Sequence, residues 1–162
     1  MAWIGLLAVA SFIFNFFFAC GSPFAALATI AAITLPAYDA LVLMLFAWLA
    51  NQLVGFGLLG YPQETTAFIW GGVMGVAAIT SALAARFAVK KSLPIALIFL
   101  AALAVHQLSM LLAALTPLGG LDGFTFDVIG RVASVNLLGL VVFYILNRVT
   151  VAVHGTTSKA RI

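Results

Sequence analysis

Charge is what this chain has least of. Its 162 residues include seven Lys or Arg and four Asp or Glu, so 7% are charged, against about a quarter in soluble domains. Apolar residues make up 65% and the mean hydropathy is +1.27. A water-soluble globule is excluded, because too few polar side chains exist to cover its surface. Disorder, coiled coil and collagen are excluded by the same composition. Cysteine occurs once, at Cys20, so no internal disulfide can form. The two histidines, His106 and His154, have no metal-site spacing. They also cannot supply the axial pairs that a multi-haem membrane cytochrome requires.

Motifs for chemistry are equally sparse. The chain has no HExxH, GxSxG, P-loop, paired-cysteine site or intramembrane GxGD. No cluster of carboxylates lies within an apolar run, as a proton-driven pump would need. The net charge of +3 is small and scattered, unlike a nucleic-acid footprint. The expectation is therefore a non-enzymatic membrane protein with no catalytic residue, cofactor, metal or nucleic-acid partner.

What is present is a series of long apolar runs. A helix crossing the hydrocarbon core takes about 20 residues, and runs of that kind fall at 3–20, 23–36, 40–60, 67–87, 93–116 and 127–149. The prolines agree with these limits. Pro23, Pro36, Pro62, Pro94 and Pro117 all stand at or within two residues of a run's end, where a missing N–H costs least. The reading is an all-α polytopic membrane protein, with one transmembrane domain over 1–150 formed by a compact bundle of six helices, and a tail over 151–162. The 14 residues from Pro23 to Pro36 are short for a crossing. This second helix either spans in the shelter of its neighbours or re-enters, the latter giving a five-span alternative.

Basic residues orient the bundle. Arg86, Lys90 and Lys91 lie between the fourth and fifth runs, and Arg148, Lys159 and Arg161 follow the sixth. Both regions read as cytoplasmic. Six spans then place both termini in the cytoplasm, across a bacterial inner membrane. Residues 1–19 carry no Lys or Arg, so the basic region of a secretory signal is missing. Phe17-Phe18-Ala19-Cys20 has the outline of a lipoprotein cleavage box; the simpler reading is an uncleaved first span with a buried thiol.

Small residues line two helix faces: Gly71, Gly75, Ala78, Ala82 and Ala85, and Gly21, Ala25, Ala28 and Ala32. Such stripes let helices approach closely. Packing inside the chain is favoured over docking of another subunit.

Polar residues within the runs gather toward one side. Trp48, Asn51, Gln52 and Gly55 share a helical face in the third run. Asn15, His106 and Gln107 lie beyond the midpoints of outward-running spans, while Asp127 and Arg131, an i, i+4 pair, begin the inward-running sixth span. Leu41–Phe46 and Leu93–Leu103 on the cytoplasmic side are almost purely apolar. Amides at membrane depth must find partners in the bundle, in water or in a ligand. The one-sided distribution points to a pocket open to the outside, whereas a channel needs polar lining throughout. The loops Tyr61-Pro62-Gln63-Glu64-Thr65-Thr66 and Pro117–Gly123 are suited to cap it, with Thr65 or Thr66 an alternative N-cap for the fourth span. The candidate substrate-binding residues are Asn15, Trp48, Asn51, Gln52, Tyr61, Glu64, His106, Gln107, Asp127 and Arg131.

Six short spans, both termini inside, an alanine- and glycine-rich interior and polar groups beneath outer loops together resemble the substrate-binding S-component of energy-coupling factor (ECF) transporters. The resemblance is one of layout across the whole chain. It implies uptake of a vitamin-like small molecule, energised by a transmembrane coupling subunit and cytosolic ATPases. That family commonly docks its coupling subunit through an AxxxA pattern on the first helix; here the pattern stands at Ala28/Ala32 and Ala84/Ala88. The alternative function is a non-catalytic accessory or assembly subunit of a larger membrane complex. Either way, the expected surroundings are membrane lipid.

Overall fold

The computed structural model describes residues 2–18 and 22–159; Cys20 and Gly21 lie outside the described residues, as do the side chains of Asn15 and of 153–159. Six helices follow one another: α1 (Ala2–Phe18), α2 (Phe24–Thr34), α3 (Ala37–Gln52), α4 (Thr65–Lys90), α5 (Ile95–Ala114) and α6 (Phe126–Lys159). No strand occurs among the described residues. Among the described residues, four helical stretches are long and apolar enough to cross a membrane: Ala37–Leu58, Thr65–Lys90, Ile95–Ala114 and Phe126–Ala152.

Prolines set three of the starts. Pro23, Pro36 and Pro94 stand immediately before α2, α3 and α5, where the missing N–H leaves no helical bond unmade. The end of α3 widens into a π turn, Leu53–Leu58. Beyond it Tyr61 folds back: its N–H donates to Gly55 O at 3.0 Å. A Cβ on Gly55 would meet Tyr61 Cδ2 at 2.6 Å, so only glycine admits that ring. Phe56 stacks on Phe68 of α4 at 4.6 Å and meets Tyr61 edge-on at 6.0 Å. Aromatic contact thus ties this end of α3 to the start of α4.

Several boundaries differ from those expected, α3 beginning at Ala37 rather than at 40 among them. Helix α6 runs to Lys159, ten residues past the proposed end at 149 and through most of the expected tail; no proline interrupts it there, and Gly155 is carried within it. Helix α4 starts at Thr65 with Glu64 in the N-cap position and no side-chain cap bond, so neither threonine caps it; the Glu64 carbonyl accepts from Phe68 N–H instead.

The short second helix is the centre of the molecule. At 11 residues it is about 16 Å long, and every residue from Ser22 to Ala32 is buried. Its sequence, FAALATIAAIT, is apolar on all sides, as a helix enclosed by others must be. Helices α3, α4, α5 and α6 all pack on it. Gly139 brings α6 close, since a Cβ there would sit 2.6 Å from Pro23 Cβ and 3.3 Å from Ala26 Cβ.

Burial so deep leaves the N-terminal end of α2 without water, its C-terminal end is partly exposed, and side chains from other helices complete both. Asn136 of α6 accepts from Ala25 N–H at 2.9 Å and Ala26 N–H at 3.3 Å through Oδ1. Its Nδ2 donates to Val132 O, which holds the amide in that orientation. At the other end, Arg86 of α4 donates through Nη1 to Ala32 O and Leu35 O, both at 2.8 Å. A cation at a helix C-terminus also meets the negative end of the macrodipole. Trp3 Nε1 donates to Thr34 Oγ1 at 3.1 Å and fastens α1 to the same end.

Candidate functional site

At the end of the bundle where α2, α4 and α6 begin and α5 finishes there is a cavity of about 410 Å³. Its size lies in the range of small-molecule sites. Its position follows from the packing: α5 lies on α4 and α2, and α6 lies on α2 and α1. The connection over 115–125 closes the space between α5 and α6. Ser22 and Phe24 form one wall, Trp70 and Met74 a second, His106, Gln107 and Met110 a third, and Val128 and Val132 a fourth. Gly120, Asp122, Gly123 and Phe124 from the connection border the space as well.

Glycine geometry makes that connection possible. Gly119 and Gly120 have φ of +71° and +98°, a region that L side chains rarely adopt. A Cβ on Gly120 would lie 2.9 Å from Trp70 Cζ2, so the backbone there rests directly on the indole. Asp122 sits in a short 3₁₀ turn, Leu121–Gly123, and is exposed.

His106 is the unusual member of the lining. It is 7% exposed, and neither Nδ1 nor Nε2 has a hydrogen-bond partner. Most buried polar side chains are paired. Its ring centroid is 6.0 Å from that of Phe24, with the planes 31° apart. Gln107 is half-buried beside it, and Met110, one turn along α5, continues the same face.

Asn51 stands one layer behind the cavity. It is buried, its Oδ1 accepts from Ser22 Oγ at 2.7 Å, and its Nδ2 points to Met74 Sδ at 3.2 Å. Two wall residues, Ser22 just before α2 and Met74 on α4, are thereby held by one amide. Among the described residues, no group of three or more His, Cys, Asp or Glu is arranged to hold a metal ion.

The remaining candidates from the sequence lie elsewhere. Trp48 and Gln52 face the glycine stripe of α4: Trp48 Nε1 donates to Gly71 O at 2.8 Å, and a Cβ on Gly71 would collide with Gln52 Oε1. A Cβ on Gly75 would come within 2.8 Å of the Trp48 ring. The stripe continues through Ala78, Ala82 and Ala85, all buried, so it is packed within the chain. Trp48 and Gly75 also border a shallow apolar groove of about 340 Å³ on the α3–α4 face. Tyr61 packs on Gly55, and Glu64 is exposed.

The expected Asp127–Arg131 pair is not formed. Both side chains are exposed, and no ion pair joins them. Asp127 lies in the first turn of α6, where the helix dipole favours a carboxylate without a cation beside it. Exposed pairs gain little from contact in any case. The side chain of Asn15 lies outside the described residues.

Sequence reasoning passed over Ser22, Phe24, Trp70, Met74, Met110, Phe124, Val128 and Val132. Some of them carried a signal. Met110 is i+4 from His106 and Met74 is i+4 from Trp70, so extending each polar or aromatic position along its own face reaches them. Ser22 and Phe24 had none, because only the central placement of α2 brings them to the cavity. No family model, curated protein or solved structure matches the chain.

Proposed function

We propose that this chain is the substrate-binding membrane subunit of an uptake system for a vitamin-like small molecule, energised by partner subunits. One observation carries the reading: a cavity of about 410 Å³ lined in part by a buried histidine whose two ring nitrogens have no hydrogen-bond partner. A histidine kept only for packing would be expected to satisfy at least one of them. Mostly apolar walls with a few convergent polar groups are what small-molecule sites have in common.

In this reading the chain crosses a bacterial inner membrane six times with both termini in the cytoplasm. The cavity then opens outward and the Arg86 end of α2 faces inward. The chain has no nucleotide-binding motif, so concentrative uptake requires a coupling subunit and ATPases. Helix α2 is too short to cross alone, and its enclosure by four helices supports its lying within the membrane as the bundle's core.

The alternative of an accessory or assembly subunit drew on the α4 glycine stripe as a docking face. Trp48 and Gln52 of the same chain occupy that stripe, whereas the alternative's other support, buried amides as structural glue, fits the bonds of Asn51 and Asn136. Thermal stability of the purified protein against a panel of vitamins tests the proposal. A saturable rise with one compound, lost in His106→Ala, is expected. No response to any of them, together with stoichiometric co-purification of another membrane protein, would favour the accessory role.

A further inference from the structure

Helix packing decides from which side the cavity is reached. Among the described residues, α5 packs on α4, α4 on α3, α3 on α1 and α1 on α6, with α2 inside this ring. The link that would close the ring is missing: α5 and α6 lie against α2 from two sides and have no more than marginal contact with each other. Farther along α2 the break is filled, because Phe99 and Ala102 of α5 and Val135 and Phe143 of α6 join the buried core. At the cavity it is not. Every residue of α6 from Phe126 to Arg131 is exposed, and Val128 is 43% exposed although it shares a helix face with Val135 and Gly139, which turn inward. The 115–125 connection joins α5 to α6 over the helix ends, as a roof, and leaves the side between them open.

We infer that the ligand is a lipid-soluble ring compound with a small polar head, which reaches the cavity from the bilayer through the gap between α5 and α6; this rests on the cavity being the binding site. Depth supports it. The 20 residues of α5 make a helix of about 30 Å, the thickness of the hydrocarbon core. Met110 and His106 stand before its end at Ala114 by about 6 and 12 Å, so the open side faces acyl chains.

The lining has the same character. Phe24, Trp70 and Phe124 present rings, and Met74 and Met110 present thioethers, which pack well against a ring edge. His106 lines the space without exposing either ring nitrogen, and the Ser22 hydroxyl is engaged with Asn51. That leaves Gln107 and the Gly120–Gly123 turn as the polar part of the wall, enough for a carbonyl or hydroxyl but too little to replace the hydration of a strongly polar molecule.

Two neutral six-membered diones, duroquinone and thymine, separate a lipid-soluble from a water-soluble ligand. Equilibrium dialysis of the full-length protein in phosphatidylcholine nanodiscs measures their binding, with protein-free nanodiscs subtracting uptake by the lipid. Duroquinone is expected to fill one site per chain and to bind at least about tenfold more tightly than thymine. Val128→Trp, which obstructs the gap from an exposed position, should weaken it about tenfold; Leu138→Trp, exposed on α6 outside the cavity, should not. A nitroxide on Met110→Cys, in a Cys20→Ser background, reports the phase to which the cavity opens: relaxation by oxygen, which concentrates in hydrocarbon, should exceed relaxation by an aqueous nickel chelate. Equal or tighter binding of thymine, still weakened by Val128→Trp, overturns the lipid-soluble class and leaves the cavity as the site. Duroquinone binding that Val128→Trp leaves intact overturns the site itself. Stronger relaxation by the nickel chelate overturns entry from the bilayer, and absence of saturable duroquinone binding up to roughly 1 mM overturns the ligand class.

Discussion

Replacing Asn136 with leucine removes the cap on the central helix while keeping the side chain's approximate size. Asn136 is 1% exposed, and the two amides it serves belong to Ala25 and Ala26, at 1% and 0%. Water cannot replace it. Each buried donor left without a partner costs about 1–3 kcal/mol. The bond to Ala26, at 3.3 Å, is the weaker of the two, and the added apolar surface of leucine returns about 1–2 kcal/mol. The net loss is about 1–4 kcal/mol, which for a chain of this length corresponds to a fall of about 2–16 °C in melting temperature. Thermal unfolding in detergent, followed by tryptophan emission, measures it. Ser134→Ala, two residues away on the exposed face of α6, serves as the control. An Asn136→Leu protein that melts with the control would refute the claim that α6 completes the buried N-terminus of α2.

Other consequences follow from the same contacts. Arg86→Met should destabilise by about 1–3 kcal/mol through loss of its bonds to Ala32 O and Leu35 O, a range lowered for partial exposure; Arg86→Lys should recover part by keeping the charge at the helix end. Gly75→Val drives a side chain into the Trp48 ring and should cost about 1–3 kcal/mol, with a smaller loss on a Trp48→Leu background than on the native one; equal losses on both would deny the contact. Gly120→Ala, at φ +98° and against Trp70, should cost about 1–3 kcal/mol and shift tryptophan emission, whereas Gly123→Ala, with open space around it, should stay within about 0.5 kcal/mol.

Much of the architecture is written in particular residues. Pro23, Pro36 and Pro94 mark helix starts because a residue without an N–H fits only there. The all-round apolar run after Pro23 marks a helix meant for enclosure rather than for a lipid face. Depth along a span is also readable, and His106, Gln107 and Asn51 lie at the end of the bundle where the cavity is found. Direction around the helix axis is not. Trp48 and Gln52 turn toward Gly71 and Gly75 because those glycines leave room for them, and nothing local to α3 says so. The capping of α2 was equally hidden: Asn136 lies 110 residues or more from the amides it serves, and Arg86 reads first as an orienting charge. Both tasks exist only once α2 is enclosed, since an exposed helix would leave its ends to water.

The central claim is that His106 presents its ring to a small molecule in the cavity beneath the 115–125 connection. Equilibrium binding of the panel compound that most stabilises the protein, measured for the native chain, His106→Ala and Asp127→Asn, tests it most directly. The prediction is one site per chain, weakened about tenfold or more by His106→Ala and unchanged by Asp127→Asn, whose side chain lies outside the cavity. Binding that survives His106→Ala intact, or that fails equally in Asp127→Asn, would contradict it.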